Sequence, residues 1–192
     1  WMMRHGESET QLVGKIDASQ GKYHLTDKGK AQTAKTANEL ESQEIGLIVA
    51  SPFLRTRETA KIAAKVLGIK RVVFDKRLGE IYLPSFSGKS PMTYWRDFPT
   101  AKDRFEKRPP QGESLRDVRA RLSDLLQDLE KKYRGRNILL VSHDYPLWML
   151  WQTAGGASEE EAILEKTKRG ADFIKVGRSE PLLFKVLPRD ET

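Results

Sequence analysis

Two six-residue apolar runs constrain this chain more than anything else in it. Residues 45–50 read Ile-Gly-Leu-Ile-Val-Ala and residues 137–142 read Asn-Ile-Leu-Leu-Val-Ser, neither with the alternation that would give it a wet face. Strands of this kind are buried on both sides, as in a parallel sheet covered by helices. The text around the first run is helical. Residues 25–43 carry Ala31, Ala34, Ala37 and Leu40 every third position behind a candidate N-cap, Thr26. After the run, Ser51 and Pro52 read as an N-cap and a first-turn proline for a helix through Ala60, Ala63, Ala64 and Leu67 that Gly68 ends. A strand over 71–74 follows, and this βαβ rhythm predicts an α/β fold.

The rhythm breaks over residues 76–112, which hold Pro84, Pro91, Pro99, Pro109 and Pro110, with short helical pieces around 92–98 and 101–107. A long irregular insertion in a compact domain is usually functional. Residues 114–133 restore order: Leu115, Val118, Leu122, Leu125, Leu126 and Leu129 form one stripe, Ser114 with Asp117 resembles a capping box, and Gly135 is a stop. Beyond Pro146 the apolar stretch 147–151 predicts a buried helix, and Ser158 with three glutamates after it opens another. Residues 171–176 and 182–187, about Gly177 and Pro181, read as a pair of strands at a sheet edge, and 11–24, with Gly14 and Gly21, as loop.

At 192 residues the chain fits one domain, 1–192. Its 38% apolar and 32% charged content is that of a soluble globular protein. The absence of cysteine removes disulfides, thiolate nucleophiles and Cys-based zinc sites; with no bilayer-length apolar run and no signal peptide ahead of Arg4, a cytoplasmic protein away from the membrane is expected. The net charge of +7 is spread among acids along the helices, a solvated surface with a mild attraction for phosphates rather than a nucleic-acid footprint.

Chemistry concentrates near the start, at Arg4-His5-Gly6-Glu7-Ser8, where only Trp1, Met2 and Met3 precede a combination of fixed cation, candidate nucleophile and pliable backbone. The strand leading into it is short, so His5 is expected to be loosely positioned. His5, residues 51–55, Glu80 and His143 all fall just after predicted strands, at the carboxyl ends where ligands gather in open α/β sheets. His5, His24 and His143 lie far apart without a His-x-x-x-His pair, so no metal site is expected, and His24 reads as surface.

The five-residue string resembles the Arg-His-Gly-Glu-Ser/Thr signature of the histidine phosphatase superfamily, the phosphoglycerate-mutase-like proteins. Four further segments resemble that family in order: Leu25-Thr26-x-x-Gly29-x-x-Gln32, Ser51-Pro52-x-x-Arg55-x-x-x-Thr59-Ala60, Gly112-Glu113-Ser114 and Val141-Ser142-His143. The resemblance runs from Arg4 to about Trp151 and implies a three-layer sandwich with a mostly parallel central sheet and helices on both faces. It implies that His5 is a nucleophile forming a phosphohistidine, that Arg4 and Arg55 bind the phosphoryl group with His143, and that Glu80 of Leu78-Gly79-Glu80 donates the proton. Arg57 is then surface. No cofactor is implied, and the partner is a small phosphorylated metabolite, with a homo-oligomer open.

The chain also departs from the pattern. Gln11 stands where many members carry a phosphate-holding asparagine, keeping the amide at one more methylene. Asp144 follows His143 where glycine is usual; it is expected to point away and cap the helix before Pro146, the alternative being repulsion of phosphate. Around residues 86–88 the usual tryptophan-containing motif is degraded, leaving substrate contacts open. The leading expectation is a metal-independent phosphomonoesterase; a phosphoglycerate mutase, whose Glu-Arg-His-Tyr-Gly segment is replaced here by Glu80-Ile81-Tyr82-Leu83-Pro84, and a weakly active phosphate-binding relic are the alternatives.

Overall fold

In the computed structural model, which describes residues 1–184, the two apolar runs lie side by side at the middle of a five-stranded sheet. The strands are β1 (Met2–Arg4), β2 (Ile45–Ala50), β3 (Val72–Phe74), β4 (Asn137–Ser142) and β5 (Ser179–Glu180), in the spatial order β3-β2-β4-β1-β5. All pairings are parallel except β1 with β5. Val49 stands opposite Leu140, and Met3 opposite Val141.

The helices are α1 (Glu9–Val13), α2 (Asp27–Glu39), α3 (Leu54–Val66), α4 (Pro91–Asp97), α5 (Ala101–Glu106), α6 (Leu115–Lys132), α7 (Asp144–Gly155) and α8 (Glu159–Arg169). Because strand side chains alternate between faces, Met3, Ile48, Ala50, Leu139 and Val141 join one core with Ala37, Ala60, Ala63 and Ala64 of α2 and α3. Met2, Leu47, Val49 and Leu140 join the other, with the leucines of α6 and Leu147, Trp148 and Leu150 of α7. Small alanines let α2 and α3 lie close to the sheet. The α6 stripe buries six apolar side chains, each stabilising by roughly 1.5–3 kcal/mol relative to exposure. Trp148 is buried whole because its indole N–H donates to the Ala162 carbonyl at 2.9 Å. The result is the three-layer α/β arrangement.

β1 has only three residues, yet it is firmly held. It lies between β4 and β5, Met2 and Met3 have no exposed surface, and the Trp1 amino group donates to the Ile138 carbonyl at 2.7 Å. A short strand with neighbours on both sides does not leave His5 loose.

Four local expectations give way. Residues 9–13 are helical rather than loop from residue 11: Gly14 closes this single turn in the left-handed region, and its exposed Leu12 and Val13 carry no inward periodicity to betray it. α3 starts at Leu54 with Phe53 as N-cap, so neither Ser51 nor Pro52 caps it. Residues 171–176 form no strand, because their backbone groups bond to side chains of Asp144, Arg4 and Arg169 instead of a ladder. The antiparallel edge strand is Ser179–Glu180; residues 182–184 are irregular and 185–187 lie outside the described residues.

Candidate active site

The carboxyl ends of β1, β2 and β4 deliver His5, Ser51 and His143 to one place. The turn after β1 is packed so tightly on the start of α2 that two glycines meet: a Cβ on Gly29 would lie 1.9 Å from the Glu7 carbonyl oxygen, and one on Gly6 would lie 2.3 Å from that of Gly29. Polar groups then fix the turn. Thr59 Oγ1 accepts from the Gly6 N–H at 3.2 Å, Gln32 Oε1 from Glu7 N–H at 3.0 Å, and Thr26 N–H donates to the Glu7 carbonyl at 3.0 Å. The Thr26-x-x-Gly29-x-x-Gln32 and Thr59 positions thus hold the loop that follows His5.

His5 Nδ1 lies 2.7 Å from the Gly6 carbonyl, an acceptor only, so Nδ1 carries the proton and Nε2 keeps its lone pair. Burial, with the charges of Arg55 and Arg4, holds this imidazole well below its ordinary pKa of 6.5, so it is neutral at neutral pH. His143 stands edge-on to it with ring centroids 5.2 Å apart. Its Nε2 is 2.9 Å from Ser51 Oγ, which accepts from the Phe53 N–H at 3.4 Å. The Nδ1 of His143 is buried without a hydrogen-bond partner among the described residues, as are the Nε atoms of Arg4 and Arg55. Burial, then Arg55 and His5, also holds His143 well below 6.5.

A cavity of about 310 Å³ opens over these groups, lined by Arg4, His5, Gln11, Arg55 and Glu80 together with Asp17, Asp144 and Asp172. His143 lies behind His5, fully buried, and is not part of the lining. Glu80 is half-buried; desolvation of its carboxyl, aided by Asp144, raises its pKa against the opposing Ile81 N–H and Arg55. Such a carboxyl keeps its proton at higher pH than an ordinary one. The backbone beside Glu80 is pinned by Arg121, which donates to the carbonyls of Arg77 and Glu80 and, at 2.8 Å, to Glu113. Gln11 lends its Oε1 to Ser8, accepting from N–H at 2.9 Å and from Oγ at 2.8 Å.

Asp144 corrects the sequence reading. It sits in the first turn of α7 without capping it, and its carboxylate faces the cavity, accepting from the Phe173 N–H at 2.7 Å, Lys166 Nζ at 3.0 Å and Arg4 at 3.2 Å. It compensates Arg4 rather than pointing away. Asp172 joins Arg4 at 2.7 Å, and Asp17 faces Arg55 at 3.2 Å. Sequence reasoning missed these partners because acids scattered over 17, 144 and 172 carry no spacing signal. His24 is exposed and paired with Glu58, and Arg57 is exposed.

The histidine phosphatase superfamily (branch 1) family model matches residues 1–168. The protein named "Probable phosphoglycerate mutase GpmB" from Photorhabdus laumondii subsp. laumondii is 31% identical over 166 residues, 81% of this chain and 74% of that protein. Phosphoserine phosphatase 1 of Hydrogenobacter thermophilus is 29% identical over 153 residues, 76% of this chain and 71% of its own length. Among solved structures, Bacillus stearothermophilus YhfR superposes with a TM-score of 0.70 at 27% identity, covering 84% of this chain and 81% of that one. Signature turn, fold and relatives agree: the chain belongs to the histidine phosphatase superfamily, branch 1.

Proposed function

We propose that this chain is a metal-independent phosphomonoesterase, a single catalytic domain hydrolysing a small phosphorylated metabolite through a phosphohistidine on His5, in the cytoplasm. The observation that carries the reading is the His5 ring itself: Nδ1 is spent on the Gly6 carbonyl, and the free Nε2 is kept neutral beside two arginines. Nε2 attacks phosphorus as the ester P–O bond breaks, and the protonated Glu80 gives its proton to the departing alcohol oxygen. Arg4, Arg55 and the Gln11 amide stabilise the charge spread over the phosphoryl oxygens, and His143 supports them from behind His5. Water then attacks phosphorus, Glu80 takes its proton, and the P–N bond breaks to release phosphate.

The buried Nε–H groups of Arg4 and Arg55, without partners among the described residues, support this arrangement, since an unpaired buried donor costs about 1–3 kcal/mol that an oxyanion recovers. Phosphoglycerate mutase-type transfer is the second reading, favoured by the name of the 31% identical relative. Assay of phosphate release with and without chelator, with His5→Ala as control, tests the first. Chelator-sensitive release, or release undiminished in His5→Ala, overturns it. Interconversion of phosphoglycerates that requires a bisphosphate primer and outpaces hydrolysis supports the second.

A further inference from the structure

We infer that the alcohol half of the substrate is an aromatic or bulky apolar group, seated on a wall formed by Trp95, Tyr145 and Tyr94 with Ile16, Ile81 and Leu83. This deepens the phosphatase reading and rests on it. The cavity that holds His5 and the two arginines continues past Glu80 along this wall. Trp95 of α4 and Tyr145 of α7 are joined by a hydrogen bond from the indole N–H to the phenol oxygen at 3.2 Å, so two rings from separate elements make one surface. The indole's polar atom is thereby satisfied while 41% of the residue remains exposed, an apolar face the fold itself leaves uncovered. Tyr94 is rigidly set, its ring 5.4 Å from that of Phe86 and 5.1 Å from that of Phe98. Its Oη is buried without a partner among the described residues.

Charge points the same way. Arg4 faces Asp144 and Asp172, Arg55 faces Asp17, and Lys166 faces Asp144, so each of these cations in the cavity already has a carboxylate beside it. Lys15, exposed at the mouth, is the remaining basic side chain of the lining. One phosphoryl group can draw on the arginines, but a second anionic group on the alcohol would meet three aspartates and an aromatic wall. A ring stacked on Trp95 meets neither penalty.

The test compares 2-phenylethyl phosphate with ethyl phosphate, primary esters whose leaving alcohols are similar, and with 3-phosphoglycerate. kcat/KM is expected to favour the phenylethyl ester over ethyl phosphate by about 30-fold, chiefly through KM, as burial of the ring's apolar area implies. In Trp95→Ala the ratio should fall below about fivefold, and Trp95→Phe should recover part of it, which a merely misfolded variant would not. Equal kcat/KM for the two alkyl esters, a preference for 3-phosphoglycerate, or a ratio unchanged in Trp95→Ala overturns the inference. Calorimetric binding of 2-phenylethylphosphonate and ethylphosphonate, which cannot be hydrolysed, separates the two levels. Tighter binding of the former without turnover of any ester sinks the phosphatase reading and keeps the apolar wall, whereas equal binding sinks the wall.

Discussion

Arg4 and Asp144 meet at 3.2 Å although 140 positions separate them in the chain, and that pair ties an arginine of the cavity lining to the first turn of α7. Both side chains are nearly buried, at 11% and 13% exposure, and Asp144 also holds the Phe173 N–H and Lys166. Removing one member of such a network leaves the others charged and unpaired. Asp144→Ala is expected to lower unfolding free energy by about 2–3 kcal/mol, measured by urea titration, and to raise KM for a phosphate ester as Arg4 loses its anchor. Asp144→Asn, whose amide oxygen still accepts from Phe173, should recover most of the stability.

In the proposed mechanism Glu80 and His5 set opposite limbs of the pH–rate profile. Proton donation needs Glu80 protonated, so kcat/KM, corrected for substrate ionisation, should decline as pH rises through its raised pKa. Attack needs His5 neutral, a condition that its depressed pKa preserves well below 6.5. Glu80→Gln should abolish the alkaline limb while lowering kcat by about 10²–10³-fold for an alkyl ester.

The same two histidines make stability fall in acid. His5 and His143 have folded pKa values below the ordinary 6.5, so the unfolded chain binds their protons first. Their contribution is complete above about pH 6.5 and is lost as pH drops from there toward the folded values. Thermal unfolding from pH 8 to pH 5 should show Tm level at first and then decreasing, and His143→Gln should flatten part of that slope.

Ser51 orients His143 through the hydrogen bond between its Oγ and Nε2 at 2.9 Å. Ser51→Ala leaves the imidazole free to place its proton on either nitrogen, and single-turnover kinetics should show phosphoenzyme formation slowed about tenfold, near the value of one hydrogen bond to a buried ring. Binding of the ester should change less.

Gly29 tests the packing of the nucleophile's turn. A methyl group there would overlap the Glu7 carbonyl, and Gly29→Ala is expected to destabilise by roughly 1–3 kcal/mol in urea titration despite the higher helix propensity of alanine.

The elements legible in the chain were those whose burial leaves a periodic record. β2 and β4 are apolar throughout because both faces are covered, α6 shows a leucine stripe because one face is covered, and Thr26 and Ser114 cap where they were expected to. Signature residues at strand ends, His5, Arg55, Glu80 and His143, also gather in one region, because a parallel sheet points all its carboxyl ends the same way. What the text misreported were places where a local rule met a distant partner. Ser51 has the chemistry of an N-cap, yet its hydroxyl is taken by His143, 92 positions away. Asp144 has the chemistry of a helix-start residue, yet Arg4, Lys166 and Phe173 claim it. Residues 171–176 look like a strand, but their polar groups find side chains first. Sequence alone therefore determined the layers, through periodicity, and the family, through its signature segments. Only the tertiary structure decided which nitrogen of His5 carries the proton, which carboxylate stands against which arginine, and which side chains line the cavity, because those depend on contacts between residues that no spacing along the chain relates.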